Sequence, residues 1–293
     1  MPFHADLSID DDAYRKHVRD LAVVDGISAI TINGHAAEVH ALSFDEQRHA
    51  LGLTKQELGD SLPIVAGVYT ESSLEAARIA RMAMDGGADC LLVFPPQSMA
   101  LGGALRPEMA IEHFCRIADA TDLPLILFQY PMSSGLGYPL ETLLALCDRF
   151  PTIRAIKDWC NDPVRHERHI RELHSLDRPV RVLSTHSAWL LGSLVMGCDG
   201  LLSGAGSVIA PLQVAMWRAV QDGNLLAAQR VNDRMYPLTR TFYAEPLVDM
   251  HNRMKETLVA LGKLAEAHVR PPLVKLPPDE IKRIVHACET GFA

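Results

Sequence analysis

The sequence predicts an α/β fold, a (β/α)8 barrel over residues 1–210 followed by a helical extension over residues 211–293. Three observations carry this expectation. Apolar runs recur at about 27, 63, 90, 124, 153, 180 and 200 with helical stretches between them, roughly the 25–30-residue spacing of parallel βαβ units. The runs are continuously apolar, as expected of strands covered on both faces. After residue 210 the alternation stops and only helical stretches follow. A closed barrel needs eight strands, and seven are readable. A doubly wound sheet would accept seven, but its GxGxxG or GxxxxGK[ST] turn is absent. Gly204-Ala205-Gly206 is a weak near match, and it follows the last run.

Each element has a local cause. Ser8-Ile9-Asp10-Asp11-Asp12 opens a helix to about Ala22, its acidic residues sitting at the positive end of the macrodipole. Residues 26–32 read as a strand, and residues 33–38 as the turn after it. Ser43 with Glu46 forms a capping box for a helix over 44–58. Residues 63–68 are a strand, and Ser72 or Ser73 caps a helix through Gly86. Residues 90–94 are a strand stopped by Pro95-Pro96, and Pro107 opens a helix through Ala120. A strand over 123–129 stops at Pro131, and a helix runs from Pro139 through Arg149. Further strands are expected at 153–157, 180–184 and 200–203, with helices over 162–173 and 188–196. The extension reads as helices over 211–220, 224–243, 247–261 and 278–289.

Composition narrows the function. The 293 residues include 22% charged residues and carry a net charge of −8, with no Lys/Arg block, which argues against nucleic acid as a partner. The six cysteines (Cys90, Cys115, Cys147, Cys160, Cys198 and Cys288) are scattered without a CxxC pair, as in a reduced, cytoplasmic protein. No apolar run reaches the roughly 18 residues of a membrane span, and the N-terminus lacks a signal-peptide apolar region.

One residue stands out. The run Ile153-Arg154-Ala155-Ile156-Lys157-Asp158-Trp159 carries Lys157 near its end. Inside a barrel a lysine loses hydration, its pKa falls, and the neutral amine becomes a nucleophile able to form a Schiff base with a carbonyl. Just past the strand it would simply point into solvent.

Several short motifs, in order and spacing, resemble the dihydrodipicolinate synthase / N-acetylneuraminate lyase family of class I aldolases. They are Gly34-His35-Ala36-Ala37-Glu38, Pro95-Pro96, Phe128-Gln129-Tyr130-Pro131, Ile156-Lys157-Asp158, Gly197-Cys198-Asp199-Gly200 and Val269-Arg270-Pro271-Pro272-Leu273. The resemblance covers essentially the whole chain. It implies a TIM barrel with Lys157 as the Schiff-base nucleophile at the C-terminal ends of the strands. It also implies a first strand just before Met1-Pro2-Phe3, so that strand is expected to be missing or truncated, with the start assigned too late. Homotetramers built as dimers of dimers, and no cofactor beyond the covalent lysine adduct, are implied as well.

The departures from the family are informative. Phe128 stands where the resemblance places a proton-relaying tyrosine, and it has no hydroxyl to exchange. Tyr130, two residues on, shares its face in a strand and could replace it, or it packs at the rim. His35 and Ala36 replace two hydroxyl residues in the carboxylate-binding turn. His35 is either a donor and proton shuttle or a space filler. Gln97-Ser98 and Ser133 replace a tyrosine and an arginine that the resemblance assigns to the neighbouring-subunit contact and the second substrate. Residues 184–189 lack the carboxylate that holds a polyol tail.

The resemblance therefore implies a lyase, aldolase or dehydratase acting on a pyruvate-type 2-oxo acid, with or without an aldehyde partner. Two alternatives stand beside it: an impaired member that binds or senses the acid, and 4-hydroxy-tetrahydrodipicolinate synthase proper. The catalytic set is Lys157, Tyr130 and His35. The substrate contacts are Gly34, Ala36, Phe128, Thr185, His186 and Leu202, with Trp189 suggesting a small or partly aromatic substrate. No metal is expected, and His166, His169 and His174, among Arg165, Arg168 and Arg171, read as a solvated helix face.

Overall fold

The computed structural model describes residues 1–292. Seven strands form one parallel sheet in sequential order: β1 (Ile30–Ile32), β2 (Ile64–Val68), β3 (Cys90–Val93), β4 (Leu125–Gln129), β5 (Ile153–Asp158), β6 (Arg181–Ser184) and β7 (Gly200–Leu201). Helices α1 (Asp11–Ala22), α2 (Phe44–Leu58), α3 (Ser73–Asp85), α4 (Pro107–Ala118), α5 (Leu140–Arg149), α6 (Pro163–His174) and α7 (Leu190–Val195) alternate with them. Sequential parallel order with helical crossovers is the plan of a TIM barrel. Four helices follow: α8 (Gly206–Gln221), α9 (Leu225–Phe242), α10 (Met250–Ala260) and α11 (Pro278–Phe292).

The element bounds track the local signals. Ser43 Oγ accepts from the Glu46 N–H at 3.2 Å, and Glu46 Oε2 accepts from the Ser43 N–H at 2.9 Å, so the expected capping box is present. Asp10 caps α1 by accepting from the Ala13 N–H at 2.9 Å. Two weak strands are shorter than expected. The strand expected over 26–32 begins only at Ile30, and the one expected over 200–203 ends at Leu201. Both sit at edges of the sheet, where a strand has pairing on one side only. Helix α8 starts at Gly206 and runs through residue 210, with a kink at Ile209 ahead of Pro211.

Period-2 alternation divides the sheet into two faces. Ile30, Ile64, Leu91, Leu125, Ile156 and Val182 pack outward in the main core under the helices. Val65, Leu92, Ile126, Phe128, Tyr130 and Ala155 form a second cluster inside the sheet. Lys157, two residues beyond Ala155, points inward with it, while Asp158 points outward toward α6. Lys157 pairs in register with Phe128 on β4 and Leu183 on β6.

Among the described residues β1 and β7 are the two edges of the sheet. A space of about 490 Å³ lies between them and reaches inward to Lys157, with Ile27, Leu201, Leu202 and Trp217 in its walls. Ahead of α1, Phe3 and Ile9 form an isolated antiparallel bridge. No helix among the described residues is long and apolar enough to cross a membrane.

Candidate active site

The C-terminal ends of β4 and β5 and the turn after β1 converge on one amine. Lys157 is 6% exposed and lies at the inward face of β5. Burial alone lowers its pKa to about 7, because an ammonium loses hydration that the apolar walls do not replace. Its Nζ sits 4.2 Å from the centroid of the Phe128 ring. The ring face offers the cation partial compensation and offers the neutral amine no proton.

The turn after β1 supplies the facing wall. Gly34 leads into a single 3-10 turn over His35–Ala37. The first N–H groups of such a turn, those of His35 and Ala36, have no intrahelical partner and suit an anion. The close packing of this turn on β2 needs Gly67, because a Cβ there would lie 1.9 Å from the Asn33 carbonyl oxygen. Glu38, in a left-handed conformation at φ 57°, anchors the turn through an ion pair of 2.7 Å with Lys255 of α10.

His35 Nε2 lies 2.9 Å from the Tyr130 hydroxyl. Tyr130 is buried at 4% exposure, so it is not a rim residue. Burial raises the phenol pKa far above its usual value, keeping it a hydroxyl. Burial, and then the Lys157 charge, hold His35 well below its ordinary range, so its imidazole is neutral. Phe94 packs on the His35 ring at 4.8 Å and Phe128 on the Tyr130 ring at 4.3 Å, fixing the pair in an aromatic box. The two residues that the sequence offered as alternative replacements for the relay are joined in one hydrogen-bonded dyad.

Thr185 faces Lys157 across a pocket that His35, Ala36 and Phe128 also line. Gly34 is buried beside them, and Leu202 lines the wider space on the β7 side. The pocket has further walls that sequence reasoning did not assign: Trp159, Tyr243, Met250 and Met254. Trp159 follows the lysine strand directly. The other three come from the chain after β7, and nothing in their local pattern points to the site.

Two expectations are corrected. His186 does not line the pocket. It is 1% exposed, and its Nε2 accepts from the Asn161 N–H at 3.3 Å while its ring stacks on Trp189 at 4.2 Å. Nor do His166 and His169 form a solvated face. Both are buried, and the Nδ1 of each lies within 2.9 Å of Asp158 Oδ2. Because Asp158 follows the inward lysine, it must face outward, and α6 presents these two rings to it. Period-2 alternation in β5 is the signal that could have found them. His174 is half-buried and pairs with Asp199 at 2.6 Å.

Burial opposes charge on both partners of this network, yet their hydrogen bonds outweigh it. Asp158 is held well below the usual carboxylate range, and His166 rises to about 9. Burial lowers His186 to about 3. Asp158, Cys160, His166 and His186 offer ligand atoms within 4.8 Å of one another, a set that could enclose a cation. Each already has a protein partner: the Cys160 N–H for Asp158 Oδ1 at 2.8 Å, Ser193 Oγ for His166 Nε2 at 2.8 Å, and the Asp162 carbonyl for Cys160 Sγ at 3.3 Å. The arrangement is a closed hydrogen-bond network that fixes the end of β5.

The sequential parallel sheet with its alternating helices gives the chain a TIM-barrel-like architecture, with the buried lysine at the C-terminal end of a strand. The family model of the dihydrodipicolinate synthetase family matches residues 1–290, and the chain belongs to that family. It is 28% identical over 286 residues to a 4-hydroxy-tetrahydrodipicolinate synthase of Bartonella bacilliformis, covering 98% of this chain and 93% of the relative. It is 30% identical over 288 residues to the synthase of Chlorobium limicola, covering 97% and 92%. Among solved structures, YagE, a prophage protein of the dihydrodipicolinic acid synthase family from E. coli K12 in complex with pyruvate, superposes with a TM-score of 0.88. That match has 22% identity and covers 98% of this chain and 94% of YagE.

Proposed function

We propose that this protein is a Schiff-base lyase acting on a pyruvate-type 2-oxo acid. The single observation that carries the reading is Lys157, buried on the inner face of β5 with its pKa lowered to about 7 by desolvation. An ordinary lysine, with a pKa near ~10.4, offers a small fraction of free amine at neutral pH, whereas this one offers about half. The pyruvate bound to the related YagE supports the choice of acid.

The chemistry follows from the arrangement. The carboxylate of the acid lies against the N–H groups of His35 and Ala36. The Lys157 amine adds to the C2 carbonyl carbon, and the carbinolamine loses its oxygen as water to leave a protonated imine. That iminium accepts an electron pair when a proton leaves C3 or when the bond beyond C3 breaks. The Tyr130–His35 dyad moves the protons: the phenol donates to the departing oxygen, the imidazole N–H steadies the resulting phenolate, and the proton that then leaves C3 or the breaking bond's hydroxyl restores the phenol. Phe128 packs the amine without competing for its proton.

Activity as a true 4-hydroxy-tetrahydrodipicolinate synthase fits less well. Ser133 is exposed on the turn after β4, and no arginine lines the pocket among the described residues. A binder or sensor of the acid is the second reading, favoured by the phenylalanine beside the amine.

The test is borohydride trapping. Incubation with pyruvate and sodium borohydride, followed by intact mass and peptide mapping, is expected to give a reduced pyruvate adduct on Lys157 that Lys157→Ala abolishes. Absence of the adduct would sink the Schiff-base reading. An adduct without turnover of any 2-oxo acid or aldehyde would favour the binder.

A further inference from the structure

Beyond the nucleophile, the pocket is defined by what it omits. Its outer wall consists of the Trp159 indole, the Phe128 ring and the thioethers of Met250 and Met254. Two hydroxyls complete it, and that of Tyr243 already accepts from Ser187 Oγ at 3.1 Å. Apart from Lys157, no Arg, Lys, Asp or Glu lines this pocket among the described residues. This pocket holds about 40 Å³ of free space and adjoins, at His35, Ala36, Lys157 and Gly204, the wider space of about 490 Å³ on the β7 side.

We propose that the group carried by the substrate beyond C3, and equally an aldehyde added there, is uncharged, and that Trp159, Met250 and Met254 select it. The inference rests on the Schiff-base reading and names the substrate class of the same site. A second carboxylate or ammonium in this pocket would be stripped of water with nothing to pair it, and an unpaired buried charge is strongly disfavoured. An alkyl or hydroxyalkyl group meets only surfaces that welcome it, and methionine adapts to several such shapes. The geometry thus reads the substrate by exclusion of charge rather than by a pairing residue. In the addition direction the step balances without a further reactant. The enamine carbon C3 attacks the aldehyde carbon, the new oxyanion takes a proton through the Tyr130–His35 dyad, and water releases the product from Lys157.

The test uses the full-length protein with pyruvate and an aldehyde panel: acetaldehyde, propanal and glycolaldehyde against succinic semialdehyde, followed by NMR of the adduct. Uncharged aldehydes are expected to exceed the charged one in kcat/KM by on the order of 100-fold, the factor that about 2.7 kcal/mol of unpaired-charge cost supplies. Met250→Arg is expected to narrow or reverse that ratio by giving the carboxylate a charged partner, and the neutral Met250→Gln to narrow it far less. Turnover of succinic semialdehyde equal to or above propanal in the unmodified protein would overturn the inference. So would a pyruvate adduct on Lys157 with none of the uncharged aldehydes turned over. Failure to trap pyruvate at all is a different result, because it removes the Schiff-base reading and this inference with it.

Discussion

At the scale of single residues, the proposed chemistry divides the site into a nucleophile, Lys157, and a proton path. Tyr130 and His35 are 2.9 Å apart, with the phenol held protonated and the imidazole held neutral by burial. Tyr130→Phe removes only the hydroxyl. It is expected to lower kcat by roughly 10²–10⁴, the usual worth of a positioned acid or base. His35→Phe keeps the ring and is expected to do the same. Borohydride trapping should slow in both variants, since the dyad also protonates the departing oxygen, yet still reach Lys157 at saturating pyruvate because the amine remains. Steady-state kinetics beside trapping on each variant separates the two steps, and unchanged kcat in Tyr130→Phe would remove the dyad from the mechanism. The lysine was legible only through the rest of the chain: on its own a lysine ending an apolar run can point into solvent, and the series of barrel strands with the matching motifs placed it on the catalytic face. The dyad was only half legible. Period-2 spacing puts Tyr130 on the face of Phe128, but a partner 95 positions away in the chain is set by the closing of the sheet.

At the scale of elements, β5 and α6 are locked by Asp158. His166 and His169 both lie against one carboxylate oxygen, all within a buried layer. Removing one partner of a buried charged pair leaves the other unsatisfied, so His166→Gln is expected to cost roughly 3–5 kcal/mol of unfolding free energy. The pH dependence has a definite sign. His166 rises to about 9 in the fold, so its contribution is full below about 6.5, its unfolded value, and is lost as pH climbs to about 9. Asp158 is depressed, so its contribution is full above about 3.9 and falls away in acid. Denaturant unfolding from pH 6 to 10 is therefore expected to show an alkaline loss that His166→Gln flattens, and a flat profile in the unmodified protein would contradict the pairing. Helix α2 was readable because its cap is local. The α6 histidines were not, because a helix full of arginines looks solvated until the outward residue of the neighbouring strand is counted.

At the scale of the whole molecule, the helices after β7 complete the site. Lys255 of α10 pairs with Glu38 in the turn that carries His35, and Tyr243, Met250 and Met254 roof the pocket. Arg270, from the matched C-terminal motif, reaches back to the Leu7 and Ala41 carbonyls and holds both oxygens of Glu46 at 2.6 and 2.9 Å. The alternation of strands and helices was open to the sequence because each element punctuates itself with Pro, Gly or a cap. The roof was not, because helical periodicity in α9 and α10 tells which face is apolar and not what that face covers. Lys255→Met would leave the buried Glu38 carboxylate without this partner. It is expected to lower stability by roughly 3–5 kcal/mol and to weaken pyruvate binding, with Glu38→Gln in the same chain restoring part of the stability. Thermal melts and the pyruvate dependence of trapping measure both, and strict additivity of the two changes would show that the pair is not coupled.

The central claim is that burial in the barrel makes Lys157 a neutral amine near physiological pH. The rate of pyruvate trapping at Lys157, measured from pH 5 to 11 at saturating borohydride, tests it most directly. The account predicts a rate that climbs and levels with an apparent pKa of about 7, as desolvation of the amine requires. A rate still climbing through pH 10, as an ordinary lysine near ~10.4 would give, contradicts it. So does an adduct that maps to any residue other than Lys157.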